Sequence, residues 1–349
     1  MSEHVTGVPH NHEVQHSFPS ARNEPAIPSK QSNQEIKNLK KIWNHRINLH
    51  SLKQEKMMIP NLEEIYCLID NLTRFIDKEA KVSKVGRKKK LSRSELLTIS
   101  IIKQKIGIET NKQLYFLIKK YMKKDFSPMP SYQQFCSGLE SNFWHLGIIN
   151  LALLELNKQK FSEFFVIDST PLPLCSVGYR FRSRLGKGLA SSGKNMNGWY
   201  YGFKLHLIIN ENMEIVSFKF TNGSTSDITA LDSKLVKGIV GYLIGDKGYL
   251  GYKKAKELKK SNITIITKGR KNMKKLPINK KILRMLSRRQ IVEASFSMLK
   301  DRLQIINKKA RSITSFFSQA LSAILAYTID NNKHILHLEL NSKKFSLIS

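Results

Sequence analysis

Cysteine is scarce and scattered. Cys67, Cys136 and Cys175 lie far apart and are odd in number, which argues against a disulfide framework or a zinc cluster and fits a reducing cytoplasm. No apolar run approaches the ~18 residues of a membrane span. The polar N-terminus has no basic flank leading into an apolar stretch, so a signal peptide is not expected, and His4, His10, His12 and His16 read as part of a solvated tail. Acidic residues are also few, 27 against 59 Lys plus Arg in 349 residues, a net charge of +32. An excess of that size points to a polyanionic partner, nucleic acid first.

Two segments carry most of that excess. Lys81 to Lys124 holds 14 basic and 2 acidic residues, and Lys253 to Arg311 holds 20 and 3. Apolar residues are 41% of the chain, enough for a real core. The length suggests more than one domain.

Residues 1–58 lack sustained periodicity and read as a disordered tail followed by one helix near Ile36 to Leu52. Leu62, Ile65, Leu68, Ile69, Leu72 and Ile76 then recur at helical spacing. Ser92 stands three residues before Glu95, a capping box opening a helix to Lys105. Further helices are expected at Asn111–Tyr121, Ser131–Leu139 and Trp144–Leu156. Residues 59–158 are therefore expected to form a small, basic, all-α domain. Its surface, including Arg87, Lys88 and Lys89, is a candidate DNA contact, although charge alone also fits a bundle that braces its neighbour.

The pattern changes at Phe164-Phe165-Val166-Ile167, a short continuous apolar run typical of a strand buried on both faces and expected to end at Asp168. Residues 176–198 look like a loop, with Arg180, Arg182 and Arg184 among Gly and Ser. Trp199 to Ile209 alternates, and so does Glu214 to Phe220, with a hairpin turn at Asn210-Glu211-Asn212 between them. Ser226 or Asp227 can cap a helix to about Lys237. Gly241 to Ile244 is a second buried strand, ending before Asp246. Helices at Tyr252–Lys260, Lys280–Leu303 and Ser312–Tyr327 and a strand at Ile263–Thr267 complete residues 159–335, with a tail at 336–349. The order implies an α/β domain: a mixed five-stranded sheet with flanking helices.

Asp168 and Asp246 each follow a buried strand directly. Functional groups gather beyond the carboxyl ends of neighbouring strands, and two close carboxylates repel unless a cation joins them. A turn role is the ordinary use of either one alone. Arg289, Glu293 and Lys300, at i, i+4 and i+11, share a helix face beside the apolar stripe of Val292, Phe296 and Leu299. Asp227, near a helix start, competes with Glu293 as a third carboxylate, or serves as a cap.

Asp168-Ser169-Thr170, Gly245-Asp246-Lys247-Gly248-Tyr249 and Arg289-x3-Glu293-x6-Lys300 together resemble the DDE transposases of bacterial insertion sequences. Trp199 to His206 is similar to that family's second strand. Leu286 stands where the family often has Tyr. The resemblance implies an RNase H-like fold, with Asp168, Asp246 and Glu293 as catalytic residues and ligands of two Mg²⁺ ions, Mn²⁺ being a possible substitute. It also implies double-stranded DNA partners, namely insertion-sequence ends and target DNA, and a homo-oligomer in the active complex. Arg289 and Lys300 would then hold phosphates or orient Glu293. Lys204 and His206 would reach the DNA backbone, His206 being as readily a partly buried sheet histidine. A nuclease of the same fold that cuts without joining, or a catalytically dead DNA-binding protein, would carry many of the same features.

Overall fold

The computed structural model describes residues 62–80, 88–196, 198–267, 279–306 and 309–330. The expected tails, the helix near Ile36 and Arg87 lie outside them. Five helices come first: α1 (Leu62–Glu79), α2 (Arg93–Lys105), α3 (Asn111–Tyr121), α4 (Tyr132–Ser141) and α5 (Phe143–Lys158). The Ser92 and Glu95 capping box opens α2 as expected, and Thr110 with Gln113 and Ser131 with Gln134 make two more for α3 and α4. Each box satisfies two donors that a helix start leaves unpaired.

The sheet has six strands: β1 (Phe164–Ser176), β2 (Ser191–Asn195), β3 (Gly198–Asn210), β4 (Ile215–Asn222), β5 (Gly241–Gly245) and β6 (Ile263–Thr267). β3 is antiparallel to β1 on one edge. On its other edge β4 pairs along Phe203–Ile209 and β2 along Gly198–Gly202, end to end. β5 lies parallel to β1, and β6 parallel to β5. The order across the sheet is thus β4 with β2, then β3, β1, β5 and β6. The expectation of five strands missed β2, which forms where a loop was expected. Gly193 permits it, since a Cβ there would lie 2.4 Å from the Gly223 carbonyl oxygen. The expected end of β1 at Asp168 is also corrected. The strand runs on to Ser176 because β3 continues to pair with it. Pro171 and Pro173, two residues apart, lack N–H groups on one edge, and past Gly245 the β5 side of β1 needs no donors.

The helices after the sheet's first half are α6 (Asp227–Ala230), α7 (Tyr252–Lys260), α8 (Lys280–Ser287), α9 (Gln290–Ser297) and α10 (Ile313–Thr328). The helix expected to run to Lys237 is a single turn, α6. The helix expected over Lys280–Leu303 is divided: α8 stops before Arg288, α9 follows, and a π turn spans Met298–Arg302.

The core crosses the boundary expected at residue 158. Val166, Leu205, Leu207 and Ile209 of the sheet share one apolar cluster with Ile65 and Leu68 of α1, Leu97 and Ile101 of α2, Leu146 and Leu153 of α5, and Ile324 of α10. Phe165, Ile167, Ile208 and Leu243 pack on the opposite sheet face with Leu235, Tyr249 and Leu258. Leu96, Ile99 and Ile102 of α2 join a third cluster with Leu114, Ile118 and Phe135. α2 is therefore apolar on nearly all sides because two cores claim it.

One buried charge sits in this junction. Lys103 is 5% exposed, and its Nζ donates to Asn111 Oδ1 at 2.9 Å and Gln319 Oε1 at 2.8 Å. Burial lowers its pKa from 10.5 to about 8. Between those two values the folded chain binds fewer protons than the unfolded chain, so stability rises with pH across that window. Urea unfolding at pH 8 and pH 10 is expected to show wild type gaining on the order of 2 kcal/mol over Lys103→Met. Parallel pH profiles for the two proteins would contradict this account.

Candidate active site

β1 and β5 are parallel neighbours, in register at Phe164 with Tyr242, Phe165 with Leu243 and Val166 with Ile244. Two residues further on, that register sets Asp168 level with Asp246, at the carboxyl end of β5. Asp246 is exposed and opens a short 3-10 turn, Lys247–Tyr249. Asp168 Oδ1 accepts the Ser169 N–H at 2.8 Å. Burial drives the Asp168 carboxyl up to about 6, and the charges of Asp246 and Asp227 push the same way, while the Ser169 hydrogen bond and Arg289 oppose.

Paired residues on antiparallel strands share a sheet face. Asp168 pairs with Leu207, so it lies on the face that α9 and α10 cover. Arg289 reaches it there: Nη1 donates to Asp168 Oδ2 at 3.3 Å and Nη2 to Glu293 Oε1 at 3.0 Å. Arg289 thus joins the strand carboxylate to the helix carboxylate. Buried Val292 and Phe296 anchor α9, and Ser295 Oγ lies 2.9 Å from the hydroxyl of buried Tyr327 on α10. Lys300, in the π turn, is half-buried; burial lowers its pKa, and the nearby charges of Asp301 and Asp168 oppose that. Single π turns inside helices recur at functional sites. Here the turn takes the place of the straight helical face expected for Arg289, Glu293 and Lys300.

The other face of the sheet carries a second polar cluster. Ser169 pairs with His206, and Lys204 lies two residues before it on the same side. Asp227 Oδ1 accepts from Ser169 Oγ at 2.8 Å and from Lys204 Nζ at 3.1 Å. Lys204 Nζ also donates to the Thr225 carbonyl at 2.9 Å. Gly248 leaves room for this carboxylate, because a Cβ there would meet Asp227 Oδ2 at 2.9 Å. Asp227 therefore clasps the residue after Asp168 to Lys204 of β3 and lies against the turn after Asp246. The cap of α6 is Ser226, not Asp227. Asp227→Ala is expected to cost about 1–3 kcal/mol in urea unfolding, since it strips acceptors from a half-buried ammonium and a hydroxyl. An unchanged midpoint would show the clasp to be idle.

The expectation that His206 reaches DNA is corrected. It is fully buried, with Nε2 3.0 Å from Thr221 Oγ1 and Nδ1 3.5 Å from the Tyr249 hydroxyl. Burial lowers its pKa to about 4, so it is a neutral sheet histidine. Strand alternation gave its face but not the cover that Tyr249, 43 residues away, supplies. Ser169 and Tyr249 lie inside the sequence motifs, yet their role beneath the site had no signal beyond that. Lys88 and Lys89 are exposed before α2, far along the chain from the carboxylates. Arg180, Arg182 and Arg184 are exposed beyond β1.

Hard carboxylate oxygens are the usual ligands of Mg²⁺. Asp168 and Asp246 suit such an ion on the observation that burial and neighbouring negative charge disfavour ionised Asp168, which a cation would relieve. Glu293 is engaged by Arg289, and among the described residues no group of three His, Cys, Asp or Glu side chains is gathered to hold a metal. The fit is therefore to the strand pair, with Glu293 one ion-pair away.

The mixed sheet, flanked by helices on both faces, with carboxylates at the ends of its adjacent parallel strands, makes this an α/β fold. Residues 158–313 match the family model described as Transposase DDE domain. That match spans 156 of the chain's 349 residues and takes in Asp168, Asp246 and Glu293. Similar solved structures include a piggyBac transposase synaptic complex with hairpin DNA, at 13% identity and a TM-score of 0.36, covering 86% of this chain and 73% of that one. A pre-cleavage Mos1 transpososome has 11% identity and a TM-score of 0.22, covering 87% and 98%. The Mos1 strand transfer complex has 11% identity and a TM-score of 0.21, covering 87% and 96%. No curated protein matches the chain.

Proposed function

We propose that the chain cuts the ends of an insertion sequence and joins them to target DNA, with Asp168, Asp246 and Glu293 as its catalytic carboxylates. The observation that carries this reading is the parallel register that sets Asp246 level with Asp168, with Arg289 linking Asp168 to Glu293. Two Mg²⁺ ions, or Mn²⁺ in their place, would supply activation of the attacking hydroxyl and neutralise charge on the leaving oxygen. Asp168 and Asp246 hold their carboxylates at the rim of the sheet. Arg289 and Lys300 place two cations near Asp168, where a phosphodiester needs neutralising. Asp227 fixes Ser169, next to Asp168, against Lys204 and lies beside Gly248, two residues after Asp246. Lys88, Lys89, Arg180, Arg182 and Arg184 extend the basic surface for double-stranded DNA, and two ends brought together call for more than one copy of the chain.

The test is a strand-transfer assay with matched element ends and a plasmid target. Joined product is expected with Mg²⁺ or Mn²⁺ and not with a chelator. Cut but unjoined ends under all conditions would favour a nuclease instead. Binding to the same ends is expected to fall steeply with salt, with a log–log slope of about −0.9 for each phosphate neutralised. A flat response between ~50 and ~200 mM would remove phosphate contacts as the source of affinity.

A further inference from the structure

From Ser169 to Asn210 the chain holds no Asp or Glu. Arg180, Arg182, Arg184, Lys187 and Lys194 are all exposed in that stretch. Large aromatics stand among them: Phe181 is 85% exposed, Trp199 60% and Tyr179 60%. Scattered exposed apolar residues need no explanation, but these are grouped on one extension of the sheet. Arg180 Cζ lies 4.4 Å from the centre of the Phe181 ring, and its Nη1 donates to Ser192 Oγ at 3.3 Å. Ser192 is on β2, two residues before Lys194. Lys194 pairs across the strand with Trp199, and its Nζ stands 5.7 Å from the Trp199 ring. Both rings therefore sit on hydrogen-bonded structure, each with a cation beside it and most of its surface in water.

Cations alone would serve a surface that grips only the DNA backbone. Exposed rings interleaved with cations fit a different ligand: a base displaced from its stack, whose flat face covers the ring while a cation meets its phosphate. Duplex DNA hides those faces. Position separates this surface from the cut site. Leu207 pairs with Asp168, and Trp199 lies eight residues back along β3, about 27 Å away at strand rise.

We infer that the Tyr179–Trp199 extension is a stacking platform for unpaired DNA bases, engaged about 27 Å from the carboxylates. It rests on the reading of the chain as a DNA-cutting enzyme, and it names the strand state that this second surface takes.

Fluorescence anisotropy on the full chain, with a 20-nucleotide single strand and the duplex of the same sequence, tests it. Phe181→Ser and Trp199→Ala are each expected to weaken single-strand binding about 5- to 150-fold, the range for losing one stacked base. Their duplex affinity should hardly move. Arg182→Ala with Arg184→Ala should weaken both. Trp199→Phe, which keeps a ring, should restore most of the loss and guards against a folding defect in Trp199→Ala. In a Trp43→Phe, Trp144→Phe background, oligo(dT) should quench Trp199 emission. Equal losses on both substrates, no loss on either, or retained affinity without quenching would each overturn the platform. Asp246→Ala separates the two readings. Should it cut normally while the ring variants still lose single-strand binding, the carboxylate assignment fails and the platform stands.

Discussion

Asp246→Ala is expected to lower metal-dependent DNA cleavage by about a thousand-fold, matching the several kcal/mol that a bound metal supplies to a phosphoryl-transfer transition state. Affinity for DNA should stay close to wild type, because binding draws on the many cations of a chain carrying +32. Asp246 is the cleanest of the three carboxylates to remove. It is exposed at a turn and holds up no part of the core. Asp168 is tied to Arg289 and Ser169, so its loss would disturb more than one contact. Gel-based cleavage of an end-bearing oligonucleotide in Mg²⁺, run beside a binding titration, separates the two effects. Near wild-type cleavage would end the three-carboxylate reading. Lost cleavage with lost binding would point to misfolding or to a DNA contact instead.

A fragment from Phe161 to Ser349 is expected not to fold cooperatively. It discards Leu146, Ile149, Leu153, Leu154 and Leu156 of α5, all buried in the cluster that lines the sheet. At about 1.5–3 kcal/mol for each buried side chain, that loss alone rivals a whole domain's stability of about 5–15 kcal/mol. The helices α1 and α2 add to the deficit. Circular dichroism should show no sigmoidal thermal melt and a weak near-ultraviolet signal. A cooperative transition in the fragment would mean that the sheet and its late helices suffice alone. Assignment of end recognition therefore belongs to exposed side chains in the intact chain, such as Lys88 and Lys89, rather than to truncation.

What the sequence made legible was local and periodic. The unbroken apolar run before Asp246, the Ser92 and Glu95 box and the Asn210 turn follow rules that operate within a few residues. In the turn, the Asn210 side chain accepts the N–H groups of Asn212 and Glu214. Departures arose where distant partners overrule local preference. Pro171 and Pro173 argue against a strand, yet β3 pairs alongside them. The glycine- and serine-rich stretch at 191–195 becomes β2 because the end of β3 is free to pair with it. The two aspartates could be paired on strand logic, but the division at Arg288 and the π turn that carries Lys300 had no Gly or Pro to announce them. His206 shows the same limit. Alternation gives a side and says nothing of what comes to cover it.

α2 has a further meaning for how such a chain can change. Leu97 and Ile101 belong to the sheet's core while Ile99 and Ile102 belong to that of α3 and α4. One helix thus carries two sets of packing constraints, interleaved residue by residue. Exchanging the front helices for those of another protein would replace half of that interface and leave the other half without its counterpart. A change in what the surface of this chain binds is accordingly easier to reach by changing exposed side chains than by trading modules.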